Sequence, residues 1–115
     1  MQIWSATGGT AQQWQLQDQG NGLFELIPQC ATSRRLDVSG WGTSNGTNIQ
    51  IWQDGDSDPQ RWSVVGTGDG YYELVPKLAT GSRCDVSGGG SADGTNVQLW
   101  QSYGNSAQRW RLFRN

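Results

Sequence analysis

The chain has 115 residues, enough for one domain and too few for two ordinary ones, and its net charge of −2 excludes the strongly basic surface that nucleic acid or an anionic membrane requires. Hydrophobic residues make up only 34%, yet seven of them are Trp, so a few large side chains must build the core. Seventeen Gly residues favour a turn-rich all-β chain over a helical one, and no apolar run approaches the ~18 residues of a membrane span.

Read in chain order, the sequence repeats itself. Residues 1–19 carry Gln2 and Trp4, then Gln12 and Trp14. Residues 20–67 carry Gln50 and Trp52, then Gln60 and Trp62; residues 68–115 carry Gln98 and Trp100, then Gln108 and Trp110. Each set is displaced from the last by 48, and 20–67 laid on 68–115 agree at nearly half of their positions, including Asp37-Val38-Ser39-Gly40 against Asp85-Val86-Ser87-Gly88.

Each unit reads as four short strands, in the last one over 72–75, 83–86, 96–100 and 108–112. Gly, Asn and Ser clusters separate them, supplying the positive φ angles that tight turns need. No window holds a helical period. Trp14, Trp62 and Trp110, with Leu16, Val64 and Leu112, are expected to point inward. The Arg residues, including Arg35, Arg83 and Arg114, are expected at solvated strand ends. Four strands per unit fit a propeller blade or a three-fold closed barrel; a propeller needs at least four units, and three are present.

The Gln-x-Trp elements in three pairs, with Leu-Asp-Val-Ser-Gly or Cys-Asp-Val-Ser-Gly upstream, resemble the ricin-type lectin domain, modules of which are appended to bacterial polysaccharide-degrading enzymes. The resemblance covers essentially the whole chain. It implies an all-β fold, a β-trefoil with 48-residue repeats, as one carbohydrate-binding domain over 1–115: a partial repeat at 1–19 and full repeats at 20–67 and 68–115. It also implies glycan or polysaccharide partners, a secreted or extracellular location and no cofactor. Galactose, N-acetylgalactosamine, arabinose and xylose residues all fit the family's habits.

Carried over position by position, the resemblance assigns sugar binding in the last repeat to Asp85, Gln98, Trp100 and Tyr103. Gln108 is placed to orient Asp85. Ala107 replaces the family's Asn, and Asn105 stands two residues earlier as a substitute. The middle repeat offers Asp37, Gln50 and Trp52 but has Gly55 and Pro59 at the flanking positions, so the resemblance ranks it as the weaker site. The first repeat has Gln2 and Trp4 without an Asp. The chemistry suits a pyranose: a flat aromatic covers its C–H face, a carboxylate accepts hydroxyl protons, and Gln both donates and accepts. The bland reading, core Trp and turn Asp, is weakened for Asp37 and Asp85 because each stands in a strand-like segment where Asp is disfavoured. Trp41 stands where the next repeat has Gly89, and the sequence leaves two readings open: an exposed binding aromatic, or a cover for a sheet edge.

Other chemistries fare worse. With no His there is no Ser-His-Asp or Cys-His arrangement. Glu25 and Glu73 recur at equivalent positions, which points to structure rather than to a hydrolase pair. Asp54, Asp56 and Asp58 make half a calcium loop without its Gly and closing Glu. A protein-interaction trefoil is the alternative function, since fold alone does not fix activity. Cys30 and Cys84 fall on Leu78 and Leu36 under the 48 shift, so both are expected as buried free thiols. Three full repeats would run to about 144 residues. The first repeat is thus expected to lack its first two strands, with the barrel completed either by an upstream segment or by another copy of the chain.

Overall fold

A computed structural model describes residues 1–3 and 5–112; Trp4 and Arg114, singled out above, lie outside the described residues. The fold is all-β. Among the described residues eight strands run β1 (Trp14–Gly20), β2 (Leu23–Pro28), β3 (Arg34–Val38), β4 (Ile49–Gln53), β5 (Trp62–Gly66), β6 (Tyr72–Pro76), β7 (Ser82–Val86) and β8 (Val97–Gln101). Among the described residues five single 3-10 turns accompany them, three between strands, one before β1 and one after β8.

Two layers follow from the pairing. A barrel sheet takes the order β1-β2-β5-β6, and Trp110 continues it through paired backbone bonds with Tyr72 of 2.7 Å each. Two hairpins, β3-β4 and β7-β8, cap it. The three-fold relation is visible in the backbone. Positions 1, 49 and 97, each 48 apart, meet around one axis: the Met1 amine donates to the Ile49 carbonyl, and the Val97 N–H donates to the Met1 carbonyl at 2.8 Å. This is the β-trefoil arrangement.

The core gathers around that axis from Leu26, Leu36, Val38, Ile49, Leu74, Cys84, Val97 and Leu99, centred on Trp62, with Trp14 and Trp110 packed against it. Trp62 is fully buried, and its indole N–H donates to the Leu36 carbonyl at 3.2 Å; the Trp110 indole does the same to Cys84 at 3.1 Å. Trp62 and Trp110 thereby each tie their own repeat's hairpin to the barrel while satisfying their one polar atom.

Four expectations need correction. Leu16 is exposed, because β1 lies at the sheet's edge and has only β2 beside it, whereas its counterpart Val64 has neighbours on both sides; Leu112, past the bridge at Trp110, is exposed as well. The fourth strand of the last repeat is a 3-10 turn, Ser106–Gln108, and a single bridge at Trp110. Arg35 and Arg83 are not solvated ends. Arg35 is buried against Glu25 at 2.9 Å and Arg83 bonds Glu73 at 2.8 Å, which gives the repeated glutamates their structural role. Both cysteines are free, but Cys30 is exposed in the turn after β2 and only Cys84 is buried. Beside the first repeat runs a groove of about 950 Å³, lined by Met1, Ile3, Trp14, Ile51 and Trp110.

Candidate functional site

The two hairpin caps each present one face with the same constellation, and the pleat explains it. Asp37 lies directly across from Gln50, and Asp85 across from Gln98. Side chains alternate along a strand, so the Gln-x-Trp spacing sets Trp52 and Trp100 on the same face, two residues farther on. After β3 and β7 the chain turns sharply through Gly40 and Gly88, at φ of 61° and 62°, and folds the turn back over that face.

In the β7-β8 cap, Asp85 is largely buried, and its Oδ2 accepts a hydrogen bond from Nε2 of Gln108 at 3.0 Å. The same amide donates to the Gln101 carbonyl at 2.8 Å, while its Oε1 accepts from the Tyr103 backbone N–H at 3.0 Å. One fully buried Gln therefore orients the carboxylate and anchors the loop that carries Tyr103. Asp85 Oδ1 and the Gln98 amide have no hydrogen-bond partner within the protein among the described residues, and both residues line a cavity of about 550 Å³. Trp100 is half-buried there; Tyr103, 61% exposed, receives a bond from the Gln101 amide on its hydroxyl. Asn105 and Ala107 line the same cavity.

In the β3-β4 cap the framework is the same, but each carboxylate oxygen already accepts one hydrogen bond. Asp37 Oδ1 accepts from Gln50 at 3.1 Å and Oδ2 from Gln60 at 3.1 Å. Gln60 also donates to the Gln53 carbonyl at 2.8 Å and accepts from the Gly55 N–H at 3.1 Å. Gln60 is thus the orienting partner of Asp37, a role read from the sequence only for Gln108. The cavity is about 440 Å³, with Trp52 exposed in it.

The sequence left Trp41 undecided, and it too lines this cavity. It is 59% exposed and sits at φ 59°, the left-handed region, which costs a bulky L-residue about 1–2 kcal/mol. The signal was present in the repeat: Gly89, its counterpart, has φ 65° and needs no such cost.

Neither Asp37 nor Asp85 forms an ion pair among the described residues, since the nearby arginines are engaged by Glu25 and Glu73. Each carboxylate can therefore give its charge to a ligand's hydroxyl protons. The Asp54, Asp56 and Asp58 run is neutralised by cations: Asp54 by Arg35 at 3.1 Å, Asp56 by Arg61 at 2.9 Å, and Asp58 by Arg61 at 3.0 Å and Lys77 at 3.1 Å. The hydrogen bond from Lys77, above all, holds the Asp58 carboxyl below its ordinary range. No group of three or more potential ligands converges as a metal site among the described residues. Gln2 bridges to Asn96 in the first repeat.

A family model described as ricin-type beta-trefoil lectin domain-like matches residues 1–52 and 58–115. Among curated proteins none matches the chain. Among solved structures, the chain is similar to a designed three-fold symmetric protein, ThreeFoil, with 37% identity and a TM-score of 0.93 over 97% of this chain and 79% of that one. It is 28% identical to an exo-beta-1,3-galactanase from Clostridium thermocellum, with a TM-score of 0.88 over 94% of this chain but only 23% of the galactanase. It shares its fold with the ricin B-like lectin of Macrolepiota procera, solved in complex with lactose, at 24% identity and a TM-score of 0.82 over 97% and 77% of the two chains.

Proposed function

This chain belongs to the ricin-type β-trefoil lectin-like family, and from that premise we propose that it is a non-catalytic module that binds galactose-, N-acetylgalactosamine- or pentose-type glycans through its two hairpin caps. The observation that carries the reading is the β7-β8 cap: a buried, oriented carboxylate with one oxygen open, the open Gln98 amide beside it, and Trp100 and Tyr103 over the same cavity. A pyranose hydroxyl donates to Asp85 Oδ1, Gln98 pairs with a neighbouring hydroxyl, and the C–H face lies on Trp100. Asn105 reaches the same cavity, and Gln108 acts through Asp85. The β3-β4 cap, through Asp37, Gln50 and Trp52, is the second site.

On this reading the chain functions as one domain over 1–115 and works outside the cell, where polysaccharide is. Its likeness to part of a galactanase supports a role in holding an appended glycoside hydrolase on its substrate. A shallow site with few platforms gives weak affinity, about 10 μM to 1 mM per site, or about −4 to −7 kcal/mol. Calorimetry against galactose, lactose, arabinan and xylan tests this directly. Heat of binding to at least one of them in that range is expected; silence from all four, together with an unresponsive glycan array, overturns the reading in favour of a protein-binding trefoil.

A further inference from the structure

The two caps share their hydrogen-bond framework but exchange an aromatic. The β7-β8 cap has Tyr103 on the loop after β8 and Gly89 on the turn after β7; the β3-β4 cap has Gly55 and Trp41 at those places. We propose that Trp41 and Trp52 form a two-platform subsite flanking Asp37, so that the β3-β4 cap binds two consecutive pyranose residues of an oligosaccharide, chiefly by stacking. The inference rests on the carbohydrate-binding reading of this cap and names its ligand class.

Three observations carry it. First, the backbone at Trp41 matches that at Gly89, φ 59° against 65°, so the turn would take Gly without strain. The Trp ring does not repay the strain by packing in the core: it is 59% exposed and lines the same cavity as Trp52, itself 54% exposed. A strained, exposed aromatic at a cavity wall is the form that ligand contacts take.

Second, the two rings reach the cavity from different elements, Trp52 from β4 and Trp41 from the 3-10 turn Ser39–Trp41 that follows β3. Trp52 pairs with Arg35, two residues before Asp37, while Trp41 follows Val38 by three residues. The cavity thus has two separate aromatic platforms, one for each of two linked sugar rings. Gly55 adds no side chain beyond Trp52, so a longer chain can leave the cavity there; in the sister cap Tyr103 stands at that end.

Third, both Asp37 oxygens already accept bonds from Gln50 and Gln60, whereas Asp85 keeps one oxygen open. The β3-β4 cap therefore has less capacity to read hydroxyl stereochemistry and more aromatic surface. It should tolerate different sugars and reward chain length, while the β7-β8 cap should select the hydroxyl pattern of a single residue.

The test uses the full chain carrying Asp85→Ala, which isolates the β3-β4 cap, titrated with galactose, xylose, galactotetraose and xylotetraose. The tetraoses should bind at least tenfold more tightly than the monosaccharides. Adding Trp41→Gly should remove that tenfold advantage and leave monosaccharide binding within about twofold. Its Tm should not fall, because Gly suits the turn, so lost binding cannot be ascribed to unfolding. In the unmodified chain, the indole N–H resonance that Trp41→Gly deletes should shift during tetraose titration. Undiminished tetraose binding in Trp41→Gly, or a static Trp41 resonance while that of Trp52 moves, overturns the inference. If the unmodified chain binds and a folded Asp85→Ala variant binds nothing, the β7-β8 site stands and this inference falls together with the second site. If the unmodified chain binds none of the four, the carbohydrate reading falls with it.

Discussion

The repeats at 20–67 and 68–115 are built on one framework and finished differently. Both bury a Glu–Arg pair beneath the cap, and both clamp an Asp with a buried Gln. They part at the rim, where Trp41 and Gly55 face Gly89 and Tyr103. Positions that satisfy buried polar groups are held in common because a lost partner costs the full desolvation of the other. Positions at the cavity's edge have no such constraint, and there the two copies diverge in what they can bind.

The largest expected effect tests the shared framework. Glu25→Ala should cost about 3–4 kcal/mol in urea unfolding, because it takes the buried carboxylate from a buried guanidinium and leaves it the bonds to the Thr32 and Arg34 carbonyls and the Asp54 contact. Asp54 also touches Arg35, but it is half-exposed and offsets at most about 1 kcal/mol. Glu73→Ala should cost about 2–3 kcal/mol, since Arg83 and Glu73 are each more exposed than their counterparts. A reversed order would show that Asp54, not burial, governs the pair.

Next comes recognition. Asp85→Ala should weaken monosaccharide binding roughly 10- to 100-fold, about 1.4–2.8 kcal/mol. It should also cost about 1–3 kcal/mol of stability by leaving the Gln108 amide short of an acceptor. Asp85→Asn separates the two effects: its carbonyl still accepts from Gln108, so Tm should hold while calorimetry shows binding lost. Asp37→Ala should change monosaccharide binding less, because each of its oxygens already shares its acceptor capacity with a glutamine. Equal losses from the two alanine variants would erase the distinction between the caps.

Smaller still is the rim exchange. Tyr103→Gly should weaken monosaccharide binding by about 1 kcal/mol, the scale of one aromatic contact, with no loss of unfolding free energy beyond a few tenths. The converse, Gly55→Tyr, should strengthen the β3-β4 cap by a comparable amount.

The smallest effect separates the cysteines. Burial pushes the Cys84 thiol from 9.0 up to about 12. The unfolded chain releases that proton above pH 9 and the folded chain does not, so stability present below pH 9 is lost as pH rises toward 12. By pH 9.5 the loss should be about 0.8 kcal/mol. Cys84→Ala should remove that slope and Cys30→Ala should keep it. A thiol reagent should titrate exposed Cys30 in the native chain and Cys84 only on unfolding.

The sequence determined the period of 48, the alternation that aligns Asp, Gln and Trp, and the recurrence of Glu, because these follow from local strand geometry and self-comparison. The resemblance to the ricin-type lectin domain, laid on that repeat, named Asp85, Gln98, Trp100, Tyr103 and Asn105, and they are found around one cavity. Other properties depend on neighbours distant in the chain. Leu16 and Val64 occupy equivalent positions, yet one is at a sheet edge and the other between two strands. Arg35 and Arg83 looked solvated because their partners lie ten residues back, across a turn. Cys30 has an apolar counterpart in Leu78 but sits on a turn exposed to water. That both Asp37 oxygens accept a bond while Asp85 keeps one oxygen without a partner, and that Trp41 shares a cavity with Trp52, came from the folded chain alone. A repeat fixes which side chains share a face, whereas hydrogen-bond saturation and exposure depend on how the caps and the barrel close around them.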